Sequence, residues 1–165
     1  MIEPFSIKIV RADYADPTHA AALVELLDAY ARDLAGGGEA LSDFARAQLV
    51  SALAARPFVF SVLAFDGAAA VGLINAIEGF STFACRPLVN VHDVVVLTSH
   101  RGRGIAAQMF AAVEAIALER GACKLTLEVL EGNASARALY QRLGFAAYQL
   151  DPTMGHAQFL HKWLD

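Results

Sequence analysis

At 165 residues the chain has room for one domain with a sizeable core. Hydrophobic residues make up 56% and charged residues only 18%, which excludes a disordered chain. A net charge of −4 argues against nucleic acid as the main ligand, because neutralising a phosphate backbone takes a basic face.

The opening run MIEPFSIKIVRAD has neither the basic region nor the apolar core of a secretory leader. Cys85 and Cys123 fit two reduced thiols, and both features point to the cytoplasm. Neither cysteine belongs to a CxxC pair, so no metal site is inferred. Phe5 to Arg11 alternates as a strand. Asp16-Pro17-Thr18 starts a helix, with Leu23, Leu26, Leu27, Tyr30 and Leu34 as its apolar stripe. Gly36-Gly37-Gly38 ends it in a surface loop. Ser42 or Asp43 caps a second helix with Phe44, Leu49 and Leu53 inward, and Arg56-Pro57 stops it.

Phe58 to Phe80 is long and apolar, but Asp66-Gly67 breaks it into a hairpin, so two buried strands are predicted and no membrane span. Gly79 to Pro87 is a connection carrying Phe80, Phe83 and Cys85. Val89 to Leu97 is the central strand. Gly104 to Arg120 is a helix with Ile105, Met109, Val113 and Ile116 on one face and Gly121 as its stop. A strand over Ala122 to Leu130 and a helix over Asn133 to Leu143 follow. Two more strands are predicted, from Phe145 to about Leu150 and from His156 to Trp163. The order implies an α/β (α+β) fold in one domain, residues 1–165: a central mixed sheet with helices on both faces.

The segment His92 to Ala107, HDVVVLTSHRGRGIAA, joins an apolar strand to a helix through a basic, glycine-rich turn. Unpaired first-turn N–H groups and the helix dipole suit an anion there. Gly102 and Gly104 let a ligand approach the backbone, and Arg101 and Arg103 add charge. The same turn also fits a plain strand-to-helix connection. It matches neither G-x-G-x-x-G nor a Gly-Lys-Ser/Thr phosphate loop.

The pattern R-x-x-G-x-A, Arg101 to Ala106, resembles the pyrophosphate loop of the GNAT superfamily of N-acetyltransferases. Downstream, N-x-x-A-x-x-L-Y-x-x-x-G-F, Asn133 to Phe145, resembles that family's second signature. The element order is similar over nearly the whole chain. From Phe80 to Ala107 the chain looks most like the diamine (spermidine/spermine-type) N-acetyltransferases. Those enzymes usually present Glu-Asp where this chain has His92-Asp93.

The resemblance implies a GNAT-like acyl-CoA N-acyltransferase fold and acetyl-CoA as cosubstrate. It implies that Val94, Val95 and Val96 offer backbone groups to the pantetheine arm and acetyl carbonyl. Gly102 to Ala107 (Gly102, Arg103, Gly104, Ile105, Ala106 and Ala107) would hold the pyrophosphate, beside Arg101. Asn133 and Ala136 would line the lower arm, and Tyr140 would face the thioester sulfur. A free amine is mostly protonated at neutral pH, and imidazole titrates near neutrality, so His92, directly or through water, is the candidate base. Strand alternation puts His92 and Asp93 on opposite faces. Asp93 and Glu78 are candidate acceptor-binding groups. Glu78 and Glu128 are equally readable as solvated strand ends, and His100 as a loop residue.

The reading is an acetyltransferase acting by direct attack of a small primary amine, polyamine-like or amino-acid-like, in a ternary complex. The alternatives are a protein or peptide N-acetyltransferase and a non-catalytic acyl-CoA sensor. An aromatic Gly79–Pro87 connection folded over the site would make a closed pocket; splayed away, it would leave a peptide groove. The apolar composition and the resemblance both imply a homodimer.

Overall fold

Alternation and tight-turn chemistry build a mixed five-stranded sheet in the computed structural model, which describes residues 6–164. Phe5, part of the expected first strand, lies outside the described residues. The strands β1 (Ile7–Arg11), β2 (Val59–Asp66), β3 (Ala69–Ser81), β4 (Arg86–Val96) and β5 (Leu125–Leu127) lie side by side in sequence order. The first three pairings are antiparallel and β4 with β5 is parallel. Gly67, at φ +59, opens the two-residue turn between β2 and β3, as Asp66-Gly67 predicts.

The helices are α1 (Pro17–Arg32), α2 (Asp43–Ala54), α3 (Ile105–Glu119) and α4 (Ala134–Arg142). Ala22, Leu23 and Leu26 of α1 pack on Leu63, Phe65, Leu73 and Val95. Met109 of α3 lies against Gly72 and Ala64, which alternate with those residues along their strands. So α1 and α3 cover opposite faces. Gly72 leaves room for this approach: a Cβ there would stand 2.9 Å from Met109 Cε, and that flexible side-chain end would have to shift. Ile105, Met109, Phe110, Val113 and Ile116 are buried, each contributing about 1.5–3 kcal/mol of hydrophobic stabilisation. Among the described residues no helix is long and apolar enough to cross a membrane.

Several expectations are corrected. Asp33 ends α1 before the glycine run, and Leu34 turns into a 3-10 turn and stands fully exposed. Phe44 points to solvent because α2 lies on the surface, with Leu53 as its contact to the core. Gly79 to Pro87 is mostly ladder: pairing continues to Ser81↔Arg86 and leaves only residues 82–85 as a loop. β5 has three residues rather than nine.

The chain falls into two compact units, divided after Leu127. In the second unit, α4 is followed by a 3-10 turn at Pro152–Met154. The strands expected at residues 145–150 and 156–163 are not formed. The two segments are joined by a backbone hydrogen bond from Ala157 N–H to Tyr148 O at 3.2 Å, but this is not extended into a ladder.

Asp28 is the buried charge that fastens α1 to the following segment. Its carboxylate accepts from Arg32 Nε (2.9 Å) and Leu41 N–H (3.0 Å) and pairs with Arg46 (2.9 Å). The Arg32 hydrogen bond leads in holding its pKa down to about 2, against the opposing effect of burial. An unfolded aspartate titrates near 3.9, so the folded value is depressed. The carboxylate's stabilisation is therefore complete above about pH 3.9 and lost as pH falls towards 2. Asp28→Asn is expected to lower Tm by several degrees near neutrality, with the gap to wild type closing across that acid window. A gap independent of pH would show that the ion pairs contribute nothing.

Candidate active site

The site is built on the second half of β4. Asn75 pairs with Asp93 and Ala76 with Val91, so His92 is an extra residue with no partner in β3. This β-bulge breaks the simple alternation of His92 and Asp93. The parallel ladder with β5 also stops here, at Val91↔Leu127. Val94, Val95 and Val96 continue as strand against β3, with no β5 partner. Their backbone groups on that edge therefore make no ladder bond to β5.

The strand leads through a 3-10 turn at Thr98–His100 into the glycine-rich loop. Gly102 (φ +78) and Gly104 (φ +73) are left-handed, and nothing lies within 4 Å of where either Cβ would stand. The other α-helices have a side-chain cap: Asp16, Ser42 and Asn133 each accept from a first-turn N–H. Gly104 has none to offer α3, and the first helical bond is Gln108 N–H to Gly104 O at 3.2 Å. The amides of Ile105, Ala106 and Ala107 precede it, at the positive end of the dipole. Such an N-terminus fits a pyrophosphate.

The basic side chains hold the loop in place. Arg101 donates to Val96 O (3.0 Å) and to Asp33 (3.2 Å), tying the loop to the end of α1. Asp66 at the β2–β3 turn pairs with His100 Nε2 at 3.3 Å and stands 3.9 Å from Arg103. His100 is thus a brace for the loop, a role its place in the sequence does not announce.

The acceptor candidates separate. Asp93 lies on the α1 face, opposite Asn75, and is half-buried. It sits near enough to Tyr30 that, after burial, its charge and that of Asp33 help push the Tyr30 hydroxyl up from its usual range. Glu78 lies on the α3 face, where Arg120 donates to it at 2.8 Å while stacking 4.7 Å above the Phe60 ring. The structure therefore does not bring Glu78 and Asp93 together. His92 is exposed, with no hydrogen bond or ion pair among the described residues.

In the second unit, Asn133 Oδ1 caps α4 by accepting from Ala136 N–H at 3.2 Å. Tyr140 is buried on α4, edge-on to Phe145 with ring centroids 5.9 Å apart.

The hairpin of β3 and β4 does not close over the loop. Arg86 donates to Gly121 O (3.0 Å), placing the hairpin end beside the C-terminus of α3, away from Gly104. Phe80 and Phe83 are exposed.

The acetyltransferase (GNAT) family matches residues 22–145. The chain is 36% identical over 88 residues to a streptothricin acetyltransferase of Streptomyces lavendulae, covering 52% of this chain and 47% of that protein. It is 35% identical over 65 residues to a thialysine N-epsilon-acetyltransferase of Bos taurus, covering 39% of this chain and 38% of that protein. The matched segment is thus less than half the length of each relative. A solved aminoglycoside N-acetyltransferase in complex with CoA superposes with a TM-score of 0.75 at 21% identity, covering 98% of both chains. With the family match spanning most of the chain, this protein belongs to the acetyltransferase (GNAT) family.

Proposed function

We propose that the protein is an acetyl-CoA-dependent N-acetyltransferase whose acceptor is a small primary amine, polyamine-like or amino-acid-like. The observation that carries this is the uncapped α3 N-terminus, with two left-handed glycines, set directly after a strand whose ladder with β5 has ended. Support for a small amine comes from the relatives, whose names give streptothricin, thialysine and aminoglycosides as acceptors.

Acetyl-CoA supplies the activated acetyl thioester. In this reading the N–H groups from Gly102 to Ala107 hold its pyrophosphate, and Arg101 shapes the loop from the Asp33 side. Backbone groups of Val94–Val96 receive the pantetheine arm and the developing oxyanion. The family resemblance assigns Asn133 and Ala136 to the lower arm. The Asp93 carboxylate attracts the ammonium group, whose pKa is about 10.4 for a lysine-like amine. His92, exposed at the bulge, takes the proton directly or through water. Tyr140 returns a proton to the departing thiolate.

A peptide acceptor is the second reading, favoured by the exposed β3–β4 hairpin, which leaves the site open. Thiol release from acetyl-CoA with polyamines, free amino acids and peptides separates the two. Small amines are expected to turn over best; turnover confined to peptides would replace the first reading by the second.

A further inference from the structure

A row of polar side chains crosses the apolar sheet and ends at Asp93. Tyr14 OH lies 3.0 Å from Ser61 Oγ, Ser61 Oγ 2.6 Å from Asn75 Oδ1, and Asn75 Nδ2 3.0 Å from Asp93 Oδ2. Ser61↔Asn75 and Asn75↔Asp93 are direct cross-strand partners, so β2, β3 and β4 each contribute one member on the same face. Ser61 is 0% and Asn75 4% exposed, among neighbours such as Val62, Leu63, Leu73 and Ile74 that are fully buried.

Sheet stability does not ask for this row. Branched apolar residues pack such a surface well, and buried polar atoms must be matched at every link. The matching here has a direction. An ionised carboxylate only accepts, so Asn75 presents its amide N–H to Asp93 and its oxygen to Ser61. Ser61 then spends its single proton on Asn75 and accepts from Tyr14. Burial, the largest influence on Tyr14, pushes its pKa up and keeps the phenol a donor. The other Asp93 oxygen makes no hydrogen bond or ion pair among the described residues.

We propose that Tyr14, Ser61 and Asn75 are positioning residues: a one-way donor chain that orients the Asp93 carboxylate and leaves its second oxygen for the acceptor's ammonium group. This inference rests on the acetyltransferase reading above and assigns the part of the core that selects a cationic acceptor.

The test is a double-mutant cycle on the best amine from the acceptor screen, with amine KM, kcat and acetyl-CoA affinity measured side by side. Ser61→Ala is expected to raise amine KM about three- to tenfold, within the range for losing one neutral hydrogen bond, with acetyl-CoA affinity unchanged. In the Asp93→Asn background the same change should add nothing, because the orientation it lost no longer matters. Tyr14→Phe, one link further out, should show the same pattern with a smaller effect. Equal effects of Ser61→Ala in both backgrounds, or an unchanged amine KM in folded Ser61→Ala and Tyr14→Phe proteins, would overturn the chain while leaving the acetyltransferase reading intact. Wild-type protein that acetylates no amine would overturn both.

Discussion

Tyr140→Phe is expected to lower turnover by on the order of 10²–10⁴-fold, the usual contribution of a positioned acid. Acetyl-CoA affinity should stay nearly the same, because the ring is buried edge-on to Phe145 and phenylalanine keeps that packing. The thiolate of coenzyme A is a fair leaving group, with a pKa near that of cysteine, about 8.5, so protonation assists without being essential. The loss should therefore leave measurable activity. Turnover and coenzyme affinity of wild type and variant, measured on one accepted amine, check this. Wild-type turnover in the variant would reduce Tyr140 to a packing residue.

Gly104→Val should weaken acetyl-CoA binding roughly 10- to 150-fold, the equivalent of losing one charge-assisted N–H contact worth about 1.5–3 kcal/mol. At φ +73 an L-residue costs roughly 1–2 kcal/mol, and a β-branched one is more strained still. The open space beside Gly104 would also receive a branched side chain where the backbone is now bare. The fold should survive, since Ile105, Met109, Val113 and Ile116 still bury their face of α3. Gly121→Val is the matched control: the same φ of +73, also in open space, at the other end of the same helix. Calorimetry should find its acetyl-CoA affinity unchanged. Equal losses in the two variants would mean that strain alone, and no contact at Gly104, lowers affinity.

Local patterns carried much of this architecture in the sequence. The 3.6-residue stripe of α3, the Asp66-Gly67 turn and the caps at Asp16, Ser42 and Asn133 each depend on residues within a few positions of one another. The glycine-rich loop after β4 was legible for the same reason. What the sequence hid depends on distant register. Nothing in HDVVV announces that His92 is the extra residue of a bulge, because the bulge is defined by Asn75 and Ala76 of the neighbouring strand. Ser61 and Asn75 interrupt apolar runs and were the available signal for the polar row. Their connection to Tyr14 and Asp93 needs three strand pairings to be known. That Glu78 lies on the other face from Asp93, bonded to Arg120 42 residues away, is likewise a matter of distant register. The strands expected at residues 145–150 and 156–163 fail for the same reason: a strand is made by a ladder with a neighbour, and the bond from Ala157 N–H to Tyr148 O is not extended into one.

The most direct measurement follows isotope-labelled acetyl groups from acetyl-CoA, with and without the best small amine, by mass spectrometry alongside thiol release. The proposed function predicts amine-dependent release of thiol, matched one for one by labelled acetylamine, with no label retained on the protein. Tight acetyl-CoA binding without amine-dependent thiol release would contradict it and identify a domain that holds acyl-CoA without turning it over.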